Sequence, residues 1–516
     1  MKKILFSILF IIICSCSNKD LIKHHIIHKE PKELSVNFKS ELKPFYHGIA
    51  SGDPLYNSVI IWTRVTPEYT SDIKVIWNIS DNEGMKNSIQ SGELITNQTK
   101  DYTVKVDVKN LLANKTYYYQ FEALGKKSII GKTKTTSSSN LDKLELAFAS
   151  CSNYEWGYFN NYGLMADDKS LDAIVHLGDY IYEYGPGAYG DTLIGRKTYP
   201  KKEIVTLQDY RYRYSQYRTD KNLMRAHKNH PFITIWDDHE SANNSYLEGA
   251  ENHQAIKEGN WSIRKNTAVK AYYEWMPIRD DKNHYREFTF GNLLNLFVLD
   301  TRFAGRTIQV ENEKDPHYLD ADRKIIGDLQ FEDLMKSLNK KTKWKIIGNQ
   351  VPFGPMVNDY KEGKGKYMDG WDGYPIERKK IVNAIQKDNI ENLIIMTGDY
   401  HSSFAFETDL NGTKSTKDNI AVELIVPSIN SANFNEYMTD DVVDMREEAF
   451  YKFNQHLKYV NVRDHGYVKL VIKKDEVKAK FLFSKYIKKL SLEQFEGKEF
   501  LIKSGKSELI EQTVKN

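Results

Sequence analysis

Residues 172–183 read DAIVHLGDYIYE. A short apolar run from Ala173 to Leu177 stops at Gly178 and hands a carboxylate, Asp179, to a loop. A buried strand that ends this way is how open α/β sheets build sites at the carboxyl ends of their strands. Asp179 and Tyr182, three positions apart, offer two oxygen ligands on one loop. An aspartate after a strand also suits a turn or a helix N-cap. The choice rests on how the other strands end.

Working outward, apolar runs recur at Leu144–Ser150, Phe232–Trp236, Leu293–Leu299, Trp344–Ile347, Leu393–Met396 and Val422–Val426, with helical candidates between them. Alternation of this kind predicts a layered α/β domain. Leu207 to His227 reads as one helix, with Tyr210, Tyr214 and Tyr217 on a single face as core packing. Nearly every strand ends in potential ligands. These are Cys151, Asp179, Asp237-Asp238-His239-Glu240 with Asn243-Asn244 behind, Asp300-Thr301-Arg302, Gly348-Asn349-Gln350, and Asp399-Tyr400-His401. A single Gly-Asp pair is ordinary, but polar clusters at the same end of consecutive buried strands exceed what capping requires. Carboxylates, a phenol, an amide carbonyl and an imidazole suit hard or borderline cations. A thiolate beside such a charge becomes a ligand.

On the amino-terminal side the texture differs. Val59 to Trp62 is β-rich, and residues alternate at Ile73, Val75, Trp77 and Ile79, at Val104, Val106 and Val108, and at Tyr117, Tyr119, Phe121 and Ala123. This predicts a small β-sandwich of fibronectin or immunoglobulin type over 44–140, ending in a TTSSSN hinge. The α/β domain follows over 141–483, closed by strands at Gly466–Leu470 and Val477–Phe483. A Lys-rich tail, 484–516, is expected as a solvated helix or extension.

The chain begins MKKILFSILFIIICSC, an apolar run too short to span a bilayer. Ile13-Cys14-Ser15-Cys16 resembles a bacterial lipobox, which predicts a signal peptide over 1–15 and acylation of Cys16. An ordinary secretory signal is the other reading, and both export the protein. Residues 16–43 read as a tether, which places a membrane-anchored lipoprotein in the bacterial cell envelope. With 516 residues, 40% hydrophobic and 28% charged, the chain has the composition of a globular two-domain protein. A net charge of +3 supplies no basic field for nucleic acid. Past the leader only Cys151 remains, an exported thiol without a disulfide partner in the chain, so it is buried or bound.

The motifs HGIASGDPLYNSVIIWTRVTP, FASCSNYEWGYFNNY, VHLGDYIYEYG, YRYRYSQYRTD, IWDDHESANN, LDTR, IIGNQVPF, TGDYHSSFA and HGYV follow in order from His47 to Val468. In sequence and spacing they resemble the PhoD-type alkaline phosphatases of the calcineurin-like metallophosphoesterase superfamily. The resemblance implies an α/β sandwich of metallophosphoesterase type behind the small β-sandwich, with Fe³⁺ and Ca²⁺ as cofactors and Zn²⁺ or Mn²⁺ as substitutes. It assigns Cys151 and Tyr182 to a ferric ion, Asp179 to the bridge between metals, His401 to the first metal and Asp399 to the second. Asp238 or Asn243, and Asn349 or Gln350, complete the second set. One departure is the leader, which carries Lys2-Lys3 and no twin arginine, so the metals are acquired outside the cytoplasm.

The implied reaction is hydrolysis of phosphomonoesters or phosphodiesters by a metal-bound hydroxide. Arg302 is a candidate clamp for phosphoryl oxygens, or else a salt bridge behind the site. His239 is a candidate acid for the leaving alcohol, or an orienting residue for a ligand. His176 reads as structural and Asp237 as a backbone cap. Two other functions fit the same chain: a phospholipase- or teichoate-like diesterase, and a surface-binding lipoprotein with a silent phosphatase domain. The protein is expected to be a monomer.

Overall fold

The computed structural model describes residues 26–280, 283–359, 361–408 and 419–513. The leader and Cys16 lie outside the described residues. Two large sheets form the body. One has ten strands, in the order 510–512, 494–503, 476–484, 466–473, 143–149, 173–176, 231–234, 49–52, 59–64 and 103–108. The other has seven, in the order 286–290, 294–298, 344–349, 393–397, 421–425, 403–408 and 457–461.

At the centre of each sheet the strands run parallel: Lys143–Ala149, Ala173–His176 and Pro231–Thr234 in the first, and Leu294–Val298, Trp344–Asn349, Leu393–Thr397 and Ala421–Ile425 in the second. Their inner faces share one core, with Leu146, Phe148, Val175 and Ile233 packed among Leu296, Val298, Ile346, Ile394 and Met396. Burying such a side chain contributes ~1.5–3 kcal/mol. A second core lies under helices Asn160–Asp167, Leu207–Arg218, Lys221–Asn229 and Trp261–Trp275, and a third under Gly327–Leu338 and Pro375–Lys387. Helices therefore cover both outer faces, and strands buried on both sides read as continuous apolar runs.

Three sequence expectations change. The helix expected over Leu207–His227 breaks at Thr219-Asp220. Asp220 caps a second helix by accepting from the N–H groups of Asn222 and Leu223. All three tyrosines of the stripe are buried in the core. The tail is neither helix nor loose extension, because Gln494–Lys503 pairs along Glu476–Ser484 and Phe500, Ile502 and Leu509 enter the main core. Phe500 and Ile502 alternate with Glu499, Leu501 and Lys503, a strand pattern that charge content obscured.

The described half of the tether is also fastened. Leu34 is fully buried, and Glu30 meets the buried Arg64 at 2.8 Å. The amino-terminal sandwich does form, around Phe45, Val59, Ile61, Val75, Tyr119 and Phe121. One of its two layers is the far end of the ten-stranded sheet, where Ile49–Gly52 pairs parallel to Pro231–Thr234.

Candidate metal centre

The carboxyl ends of the parallel strands of both sheets meet at one rim, and the strand-end clusters converge there. Cys151, Asp179 and His401 present ligand atoms within 4.8 Å of one another, as do Asp179, Asp238 and His239, and again Asp237, Asp238 and Asp399. Asp179 and Asp238 each belong to two of these groups, so the three are continuous. Asp179, Asp238, His239, Asn243, Asp399 and His401 line a cavity of about 740 Å³.

Local backbone geometry turns these side chains inward. Cys151, Asp179, Asp399 and His401 all have left-handed backbones, with φ of 61°, 57°, 62° and 62°. Gly178 precedes Asp179 at φ 110°, where a Cβ would lie 2.4 Å from that of Asp237, so no other residue fits. Glu240 ties two of the loops together. Its carboxylate accepts from the N–H groups of Asp179 (3.0 Å), Tyr180 (2.6 Å) and Asp237 (2.8 Å). Arg213 donates to the carbonyls of Tyr182, Tyr184 and Tyr199 and pins the loop beyond.

The Tyr182 hydroxyl lies 3.1 Å from Asp179 Oδ2 and 3.2 Å from His401 Nε2, and accepts from Ser431 at 2.7 Å. Cys151 Sγ is 3.5 Å from the same Asp179 oxygen. His401 Nδ1 faces the carbonyl of Ala432 at 2.8 Å. A carbonyl only accepts, so Nδ1 carries the proton and Nε2 keeps a lone pair directed at the cluster. His239 Nδ1 donates to Glu183 at 2.7 Å, and Glu183 also accepts from Asn243 N–H and Asn252 Nδ2.

The cluster is rich in buried acids. Burial raises Asp179 and Asp399 well above the carboxylate range, and Asp237 and Asp369 add to the effect at Asp399. Burial likewise raises the Cys151 thiol and the Tyr182 phenol, with Asp179 next to both. Such groups ionise only against positive charge. Oδ2 of Asp237 and Oδ2 of Asp399 are buried without a hydrogen-bond partner. Unpaired buried carboxylate oxygens are costly, and the donor set fits bound cations. Burial opposes charge on His239, but Asp238, Glu183 and Asp179 outweigh it and raise its pKa.

The remaining sequence candidates fall elsewhere. Arg302 is fully buried; it donates from Nε to Asp237 and bidentately to Asp369 at 2.9 and 2.8 Å. It stands behind the carboxylates, where the salt-bridge reading had it, and not in the cavity. Asn349 is also behind the rim. Its amide donates to the Val351 carbonyl and to Thr397, and its Oδ1 accepts from Trp371 at 3.2 Å. Gln350 Oε1 is taken by Thr301. Asp237, read as a backbone cap, is instead a member of the acidic cluster paired with Arg302. His176 Nδ1 accepts from the Gly178 N–H and its Nε2 donates to the buried Tyr162 hydroxyl at 2.7 Å, so the residue is structural.

Sequence reasoning missed Glu183 and Asp369, and it grouped Glu240 with the potential ligands where the structure uses it as a backbone acceptor. Glu183 stands within DYIYE, and a carboxylate just past a ligand was itself a signal. Asp369 comes from a loop with no strand-end mark, and it also accepts from Arg306 at 2.5 Å.

Two family profiles match the chain: PhoD-like phosphatase over residues 146–481, and the PhoD-like phosphatase N-terminal domain over 31–137. Alkaline phosphatase D of Bacillus subtilis (strain 168) is 35% identical over 467 residues, covering 86% of this chain and 78% of that protein. A solved structure of PhoD aligns with a TM-score of 0.83 at 31% identity, covering 93% of this chain and 94% of that one. The α/β fold, the acidic rim and these matches agree, and the chain belongs to the PhoD-like phosphatase family of phosphoester hydrolases.

Proposed function

We propose that the protein is an exported, envelope-anchored phosphoesterase, held to the membrane through an acylated Cys16, that hydrolyses phosphomonoesters or phosphodiesters with Fe³⁺ and Ca²⁺ as cofactors. Zn²⁺ or Mn²⁺ are the substitutes the same donors accept. The observation that carries this reading is the continuous set of ligand groups sharing Asp179 and Asp238 on the wall of one cavity.

Cys151, Tyr182 and His401 with Asp179 would hold the ferric ion, since thiolate, phenolate and imidazole suit a borderline or trivalent metal. Asp238 and Asp399, with Asp237 beside them and Asn243 at the wall, form an all-oxygen set suited to calcium. Cations there acidify water and neutralise charge on the phosphoryl group.

The chain's own residues supply the rest. His239, oriented through Nδ1 by Glu183, presents Nε2 as the donor to the leaving oxygen. As the new bond from water oxygen to phosphorus forms, the ester P–O bond breaks, the alcohol leaves with that proton, and the proton given up by the attacking water passes to solvent, from which His239 is reprotonated. Arg302 and Asp369 hold Asp237 and so fix the oxygen set without touching substrate.

The test combines elemental analysis with turnover of an aryl phosphate. Wild-type protein is expected to carry iron and calcium, and Asp179→Asn to lose activity at least a thousandfold. A protein that holds only zinc overturns the iron assignment, and near-normal activity of the variant overturns the site. Radiolabelled fatty acid incorporated by wild type but not by Cys16→Ser tests the anchor.

A further inference from the structure

Opposite the acids, the cavity has a wall of different chemistry. Tyr400, Phe434 and Tyr437 line it together with Asn358 and Asn433. About 740 Å³ is the size of a pocket that encloses a whole organic ligand, far more than a phosphoryl group fills. The aromatic side is built rigidly. Tyr400, between Asp399 and His401, donates its hydroxyl to Asn358 Oδ1 at 2.5 Å and stands edge-on to Tyr367 and Phe404. Phe434 opens a short turn held by a reciprocal bond pair between Asn433 and Glu436, and the Arg446 guanidinium lies 4.7 Å from its ring centre. Ala432, two residues before Phe434, accepts from His401, so the wall and a ligand histidine share one support. Tyr437 is 60% exposed and meets Trp156 edge-on.

Polar groups on this wall remain available. Asn433 is 97% buried by its 3% exposure, yet its Nδ2 has no hydrogen-bond partner. A buried amide N–H₂ without an acceptor is costly unless a ligand oxygen completes it. The Asn358 oxygen is taken by Tyr400, which leaves its N–H₂ as a second donor. Rings beside amide donors match an alcohol that carries both an apolar ring face and hydroxyl oxygens.

We propose that this wall is a subsite for the alcohol portion of the ester and that it selects a ring-bearing, polyhydroxylated alcohol, a glycosyl or nucleoside residue, over a small acyclic one. The inference rests on the phosphoesterase reading of the acidic rim, and deepens it from the reacting phosphate to the group that leaves. Phe434 and Tyr437 set the selectivity by contact with the ring, and Asn358 and Asn433 by donating to its oxygens.

The experiment measures kcat/KM of metal-loaded, full-length protein on adenosine monophosphate, glucose 6-phosphate and ethyl phosphate. Wild type, Tyr437→Ala and Phe434→Leu are compared. Stacking on an aromatic ring predicts that the ratio of ring ester to ethyl phosphate falls roughly tenfold in each variant, through KM. The larger ratio of the two ring esters in wild type identifies the source. A ratio near unity in wild type, or one unmoved by both substitutions, overturns the subsite.

A second arm titrates adenosine and methyl glucoside into the same proteins by calorimetry. Binding of one of them, weakened by Tyr437→Ala, supports the subsite even if no ester turns over, an outcome that would count against the phosphoesterase reading alone. Absence of binding together with an unmoved ratio overturns the subsite alone. Tyr437 is exposed, so its variant also guards against misfolding of the Phe434 variant.

Discussion

Replacing Glu240 by glutamine tests whether the acidic rim is assembled by a single side chain behind it. The two carboxylate oxygens accept three backbone N–H groups from two strand-end loops, at 2.6, 2.8 and 3.0 Å. Glutamine keeps the shape but only one acceptor oxygen. Whichever way the amide turns, at least one buried N–H faces an N–H₂ group instead of an oxygen. A buried donor left without an acceptor costs ~1–3 kcal/mol. At ~2–4 °C per kcal/mol for a large chain, the apparent Tm should fall roughly 2–12 °C. The loops displaced are those that carry Asp179 and Asp237, so metal retention should suffer as well. A residue that orients ligands is worth roughly 10–100-fold in metal affinity. The assay is thermal unfolding of metal-loaded protein, together with elemental analysis after dialysis against graded chelator. Wild-type Tm and wild-type retention in Glu240→Gln would refute the argument that this carboxylate sets the spacing of the cluster.

Arg302→Lys removes the bidentate pairing to Asp369 and the contact to Asp237, and should cost about 3 kcal/mol of stability. A rise in KM at unchanged Tm would instead place Arg302 on the substrate. His176→Asn keeps a donor for the Tyr162 hydroxyl but removes a titrating group. Burial depresses His176 to about 3, against about 6.5 in an unfolded chain. The unfolded state therefore takes up a proton that the fold refuses, and stability falls with pH between those values. The slope is ~1.4 kcal/mol per unit, so the variant should show a shallower decline in Tm from pH 6.5 to pH 4, and identical slopes would count against it. Leu34→Ala should lower stability by ~2–4 kcal/mol if the segment before the sandwich is part of the core, and a true tether would show no change in urea midpoint.

Much of the fold was legible because buried parallel strands write themselves as uninterrupted apolar runs. Ala173–Leu177 and Leu393–Met396 are examples, and their ends point to Asp179 and to Asp399 and His401. Cys151 was legible twice, as a strand-end residue and as the one cysteine past position 16. What the sequence hid was direction. Asn349 and Arg302 follow strands just as Asp179 does, yet their side chains turn toward Trp371 and toward Asp369. Asp369 was hidden because it reaches the site from a loop between elements, a tertiary fact with no local period. The outer strand 494–503 was masked by its charged residues, of which Glu499 and Lys503 alternate with Phe500 and Ile502, the pair that enters the core.

The left-handed backbones explain why direction decides the chemistry. A strand that leaves its sheet in extended conformation carries its next side chain outward past the rim. A residue at positive φ reverses the path and drops that side chain back over the strand ends. Four ligand candidates do this, Cys151, Asp179, Asp399 and His401, two on each sheet. Each such conformation in a non-glycine residue costs ~1–2 kcal/mol, so the set stores several kcal/mol at one place. The cost is offset by interactions already in the fold: Glu240 on the backbone of Asp179, the Gly178 carbonyl on the N–H of Cys151, and the Ala432 carbonyl on His401. Cations add to the cluster without having to create the turns, because the hydrogen bonds that hold them belong to the protein. The geometry that brings a thiol, imidazoles and carboxylates within 4.8 Å of one another in overlapping groups, with the Tyr182 phenol 3.1 Å from Asp179, is therefore a property of the chain's own packing, with metal selection left to the chemistry of the donors.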